Sequence, residues 1–254
     1  MSSVAASRAG ISERFATPRA TETWTPARTR DVLIVTLTLV TGATDAIGFI
    51  RLGGVFTSVM TGNMVLMGVA AGKGEGALAI HTGVAFVTYV MGSFIGGRVA
   101  GRPSEGDDVW PRAISWALCV ELALFAAFAI GFEMAGAAPV GISTYVLLGL
   151  NATALGVMSG AILRFGISGL STTYLTGTLT TVVARLGSHR SVRGSGRNVA
   201  LLLGLVAGAS IGATLAIDVP RAAPAVQLVI LAAVIAASLA CFPTRDRAGA
   251  GREP

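Results

Sequence analysis

Thr57-Ser-Val-Met-Thr-Gly-Asn63 reads TSVMTGN and interrupts an apolar region, with GGVF before it and MVLMG after it. Whether this stretch crosses a bilayer, or enters one and returns, decides the architecture. A second stretch, Ser171-Thr-Thr-Tyr-Leu-Thr-Gly-Thr178, poses the same question. The surrounding chain is 53% hydrophobic and 13% charged, with a mean hydropathy of +0.72. Soluble domains carry about 25% charged residues. A soluble fold of 254 residues cannot hide this much apolar surface, so the chain reads as an integral membrane protein, with the lipid bilayer as its first partner. Its 33 glycines fit, because glycine is more frequent in membrane helices than in soluble ones.

Working outward from TSVMTGN, eight apolar segments are legible: 32–50, 54–72, 79–97, 113–132, 140–163, 171–186, 199–217 and 225–242. A helix needs about 20 residues to cross the hydrocarbon core. Most segments meet this, and the sixth is short. The chain also repeats itself. Thr61-Gly62 recurs as Thr176-Gly177, 115 positions on, and VMGSFIGG at 90–97 recurs as VAGASIGA at 206–213, 116 positions on. Arg51-Leu-Gly precedes the first TG as Arg164-Phe-Gly precedes the second. The expected fold is therefore all-α, with two related halves of four segments and six to eight transmembrane helices. The expected organisation is a tail over 1–30, a first repeat over 31–134, a second over 139–242 and a tail over 243–254.

Lysine and arginine mark the cytoplasmic side of a membrane protein. If all eight segments span, Arg51, Arg98, Arg102, Arg112, Arg164 and Arg221 fall outside and the repeats are parallel. If the second and sixth segments re-enter, only Arg51, Lys73 and Arg221 fall outside and the repeats are inverted. The re-entrant arrangement distributes charge more cleanly, yet the second segment is long enough to span, so both stay open. Either way both tails lie inside, and the expected location is a bacterial inner membrane.

Duplicated membrane halves are the usual build of secondary transporters, whose sites form near midplane from interrupted helices. On that reading Thr57, Ser58, Thr61, Gly62 and Asn63 line a site with Thr172, Thr173, Thr176, Gly177 and Thr178. The competing reading is packing: serine and threonine bond back to their own helix, and small residues let helices approach. Asp45, in TGATDAIGF, is an ionisable group within a membrane segment and so a candidate proton or cation site. Its alternatives are pairing with Arg51 or solvation at the interface. Glu121 lies mid-segment in WALCVELALF, either as a proton-coupling carboxylate or as a buried protonated acid bonded to a neighbouring helix. Asn151 reads as an interhelical hydrogen-bonding residue or a ligand contact. Gly92 and Gly96, and Gly204, Gly208 and Gly212, form small-residue faces for packing within the chain or, less simply, in a homo-oligomer.

Other classes find little support. The net charge of +6 sits in loops and tails, not on a basic face with aromatics, so no nucleic-acid partner is expected. Cys119 and Cys241 lie in apolar runs, and His81 and His189 are the only histidines, which leaves no metal site and no cofactor. GVAAGKG at 68–74 is one residue short of a phosphate loop and lacks its hydroxyl residue. Gly166-Ile-Ser168-Gly169 matches the GxSG of intramembrane serine proteases, but His189 lies in a basic loop and His81 heads another segment, so an enzyme is not expected.

The run TGATDAIGFIRLGGVFTSVMTGNMVLMG, with NATALGVMSGAILRFGISGLSTTYLTGTLT later in the chain, resembles the two signature stretches of the YoaK-like (DUF1275) bacterial membrane proteins. The resemblance covers residues 30–242. It implies a multi-pass inner-membrane protein of unassigned activity, with Asp45, Thr61, Gly62, Asn63, Thr176 and Gly177 at signature positions. Met158-Ser159 departs from the Gln-Asn-like pair expected there. The leading expectation is a secondary transporter for a small solute. The alternatives are a non-transporting scaffold or sensor and, remotely, an intramembrane hydrolase through Ser168.

Overall fold

The structure is a computed structural model and describes residues 25–104, 106–166, 175–187 and 196–243. Within these residues eight α-helices succeed one another: α1 (Pro26–Arg51), α2 (Met60–Lys73), α3 (Gly76–Ala100), α4 (Arg112–Met134), α5 (Ile142–Ile162), α6 (Leu175–Gly187), α7 (Gly196–Asp218) and α8 (Ala223–Cys241). Among the described residues, α1, α3, α4, α5, α7 and α8 are long and apolar enough to cross a membrane. α1 begins at Pro26, ahead of the apolar run, because Pro26 sits at the first helical position and the Thr25 hydroxyl accepts from the Arg28 N–H. Arg28 and Arg30 are therefore helical and not part of a tail.

α2 has 14 residues, about 21 Å at 1.5 Å per residue, short of the roughly 30 Å hydrocarbon core. It starts at Met60 because residues 55–59 are not helical. Gly53, just beyond α1, lies against the ring of His81 in the second turn of α3, so α1 ends and α3 begins at one face. The segment between them enters and leaves there. The apolar run of the second segment is long enough to span, but its first residues are spent on a non-helical, bent stretch. α6 has 13 residues and is bracketed by the end of α5 and the start of α7 at the opposite face.

Small residues set the helix pairing. Gly204, Gly208 and Gly212 of α7 lie against Thr38, Leu39 and Ala43 of α1, where a methyl group would overlap the neighbouring helix. Gly92 and Gly96 of α3 lie in the same way against Thr153 and Val157 of α5, while Gly156 and Gly160 face back onto α3. Residue numbers rise together in both seams, so each pair runs parallel. The first helix of each half thus packs on the third helix of the other. Close backbone approach of this kind is what small residues provide in membranes, where no hydrophobic force drives helices together.

One interaction closes each seam. Arg51, at the end of α1, donates from Nε and Nη2 to the Ala216 carbonyl in the last turn of α7, at 2.8 and 2.5 Å. Arg164, just after α5, donates to the Ala100 carbonyl at the end of α3. A cation there satisfies an orphan carbonyl and meets the negative end of the helix dipole. Arg164 also pairs with Asp107 at 3.0 Å.

α4 and α8 run antiparallel between the seams. Arg221 pairs with Glu133 at one face, at 3.5 Å, and the Ser115 and Ser238 hydroxyls meet near the other, at 3.1 Å. The core lies where α1, α4, α5 and α8 converge, around Leu37, Leu118, Phe125, Leu155, Met158 and Leu231. Three spans per half make the halves opposite in orientation. Arg51, Lys73 and Arg221 lie at one face; the described starts of α1, α4 and α7 and the ends of α3, α5 and α8 lie at the other.

Candidate functional site

The non-helical stretch 55–59, bent at Thr57 and Ser58, runs back along the last turns of α1. Asp45 lies six residues before the end of that helix, about 9 Å along it. Its Oδ1 accepts from the Thr57 N–H at 2.7 Å, the Thr57 hydroxyl at 2.9 Å and the Ser58 N–H at 2.7 Å. Its Oδ2 accepts from the Ser58 hydroxyl at 2.5 Å. Asp45 is 6% exposed. Unpaired backbone N–H groups at this depth would be costly, and the carboxylate takes both of them. Arg51 does not pair with Asp45; it is committed to Ala216. No lysine, arginine or histidine among the described residues forms an ion pair with Asp45.

Asn63 completes the turn. Its Oδ1 accepts from the Phe56 N–H at 3.0 Å, and its Nδ2 donates to the Phe56 carbonyl at 2.6 Å. The side-chain amide thus stands in for a paired strand residue. Thr57, Ser58 and Asn63 are buried by these contacts, whereas Thr61 is exposed and Gly62 packs near Phe56 and Val59.

α2 packs on α3, and α6 packs on α7. The two TG segments are therefore set at opposite faces and are not brought together in one cavity. Thr176 and Gly177 are exposed on α6, where their carbonyls accept from Thr180 and Thr181. Thr178 is buried. Thr172, Thr173, Ser168 and His189 lie outside the described residues.

Between α1, the 55–59 stretch and α7 lies a groove of about 470 Å³. Asp45, Phe49, Phe56, Val59, Ala209 and Ser210 are among the residues lining it. Phe49 and Phe56 stack at 5.2 Å between ring centroids. Ser210 donates its hydroxyl to the Val206 carbonyl at 2.9 Å, leaving Asp45 as the one charged residue among the described residues of the groove.

Glu121 is placed differently. It lies on the inward face of α4, on the stripe Ile114, Leu118, Glu121, Phe125 and Phe128, and is fully buried. Neither carboxylate oxygen has a hydrogen-bond partner among the described residues. No interhelical bond among them therefore accounts for it. Asn151 of α5 belongs to a separate amide cluster: Gln227 of α8 donates from Nε2 to the Thr44 hydroxyl at 2.8 Å and to Asn151 Oδ1 at 3.4 Å. Asn151 Nδ2 and Gln227 Oε1 have no partner among the described residues. Sequence reasoning missed Gln227. The signal was a single amide in APAVQLVIL, the same logic that singles out Asn151. No cluster of metal-ligating side chains occurs among the described residues.

A family model described as "Protein of unknown function (DUF1275)" matches residues 33–237. The UPF0700 transmembrane protein YoaK of Bacillus subtilis (strain 168) is 33% identical over 159 residues, covering 63% of this chain and 68% of that protein. No solved structure matches the chain.

Proposed function

The chain belongs to the DUF1275 family, and from that premise we propose that it is a secondary transporter of a small solute, coupled to protons or another cation through Glu121. The observation that carries this reading is the pair of three-span halves in opposite orientation, each with a short helix in sequence between two spans that meet one face. Inverted repeats are a build in which one half rocks against the other around a fixed site. Glu121 adds a carboxylate held in the apolar core without a hydrogen-bond partner among the described residues. Such a group is expensive in a membrane interior and marks an ion or proton path by default.

Charge supports one orientation. Arg28, Arg30, Arg98, Arg102, Arg112, Arg164 and Arg197 lie toward the face that holds the start of α1, against Arg51, Lys73 and Arg221 at the other. By the positive-inside rule both termini are cytoplasmic, in a bacterial inner membrane. The glycine faces are spent on packing within the chain, which favours a transporter over a scaffold that turns them outward. We assign no enzymatic role.

The test is flux in proteoliposomes carrying a pH-sensitive dye inside. A panel of polar and lipophilic solutes is added outside, and both lumenal pH and solute uptake are monitored. One solute class should enter and change lumenal pH, and Glu121→Gln should abolish the pH change. Folded protein that takes up no member of the panel and moves no protons would overturn the transport reading. Uptake with a pH response unchanged in Glu121→Gln would remove Glu121 from the mechanism.

A further inference from the structure

The groove beside Asp45 has a definite chemistry. Its volume falls within the usual range for small-molecule sites. Its wall is apolar, and its second polar residue, Ser210, is spent on its own helix. Recognition therefore rests on shape, on the stacked pair Phe49 and Phe56, and on the charge of Asp45.

That charge is not balanced locally. All four contacts to the carboxylate come from neutral donors, two backbone N–H groups and two hydroxyls. Such donors lower the cost of a buried charge without cancelling it. The nearest arginine in sequence, Arg51, is turned to a carbonyl. An aromatic pair next to an uncompensated carboxylate is complementary to a cation whose surface is itself apolar. Phe49 and Val206 line the groove, are 47% and 63% exposed, and lie on helices long and apolar enough to cross a membrane, so in a bilayer lipid would lie against the groove.

We propose that this groove is a binding site for lipophilic monocations, such as quaternary ammonium or phosphonium compounds, taken from the bilayer. This names a substrate class for the transport reading above; the binding itself stands independently of whether the bound cation is then carried across.

The experiment is equilibrium binding of radiolabelled tetraphenylphosphonium to the full-length protein purified in dodecylmaltoside, which requires no transport. Binding should saturate near one per chain, should be competed by unlabelled tetraphenylphosphonium, and should resist competition by triphenylphosphine oxide, a neutral molecule of similar shape. Asp45→Asn removes the charge while retaining an acceptor for the backbone N–H groups, and should weaken binding by about tenfold or more. Ala209→Phe fills the groove and leaves Asp45 and its donors in place; it should abolish binding. This second variant decides the question if Asp45→Asn fails to fold. No binding by wild type above detergent alone, or wild-type affinity in Ala209→Phe, overturns the proposal. Binding with no uptake of tetraphenylphosphonium or any other solute in proteoliposomes upholds the site and sinks the transport reading instead.

Discussion

Replacing Asp45 separates its geometry from its charge. Alanine there removes the acceptor for two backbone N–H groups, those of Thr57 and Ser58, and for two hydroxyls. The hydroxyls can rotate to other acceptors; the N–H groups cannot. A buried donor left without a partner costs about 1–3 kcal/mol, so Asp45→Ala is expected to destabilise by about 2–6 kcal/mol. Asparagine keeps Oδ1 for three of the four donors, and its Nδ2 can donate to Ser58, whose hydroxyl then turns away. It forfeits the strengthening that charge gives a hydrogen bond, but it also spares the burial of an ion. Asp45→Asn is therefore expected within about 1.5 kcal/mol of wild type. Titration with SDS in dodecylmaltoside micelles, read by tryptophan fluorescence, measures both. Equal stability of the alanine and asparagine variants would refute the idea that this carboxylate holds the 55–59 stretch in place.

Other substitutions test the same geometry. Gly96→Ala drives a methyl group into the Val157 backbone and should destabilise by more than about 2 kcal/mol, whereas Gly97→Ala meets nothing within 4 Å and should be neutral or gain up to about 1 kcal/mol; thermal unfolding in detergent separates these neighbours. Asn63→Asp sets an acceptor against the Phe56 carbonyl in place of a donor, and should lower stability by about 2 kcal/mol or more in the same unfolding assay. Glu121→Met replaces an unpartnered carboxylate by an apolar side chain of similar volume and should raise stability by about 1–4 kcal/mol in the same unfolding assay; a loss would reveal a partner for the acid.

The class of the molecule could be read from composition, whereas segment length left six to eight spans open, and among the described residues six helices are long enough. The Lys and Arg distribution fitted re-entry more cleanly, with only Arg51, Lys73 and Arg221 outside, but left spanning open; the structure resolves it for the first TG segment, because α2 stops at 14 residues and Gly53 returns to His81. The turn itself was not legible. Asp45 reaches Thr57 and Ser58 across a break in the helix, a separation of 12 and 13 residues that matches no helical period. Asn63 acts as a substitute peptide, a role that residue type alone does not announce. The capping of Ala216 by Arg51 and of Ala100 by Arg164 was hidden for the same reason: a long side chain meets a carbonyl, and carbonyls leave no trace in sequence. The shared glycine motifs at 90–97 and 206–213 did announce close packing, but not that the pairs cross between halves.

That crossing bears on how the protein is made. α1 finds its glycine-lined mate only when α7 has been synthesised, and Leu39 and Gly208 stand 169 residues apart. At ribosomal rates of about 5–20 residues per second, the first helix waits on the order of ten to thirty seconds in the bilayer with its binding face unfilled. During that interval it depends on an insertase or on lipid to cover the face around Thr38, Leu39 and Ala43, and a nascent chain truncated before α7 should be cleared by membrane proteases and not accumulate as a stable half.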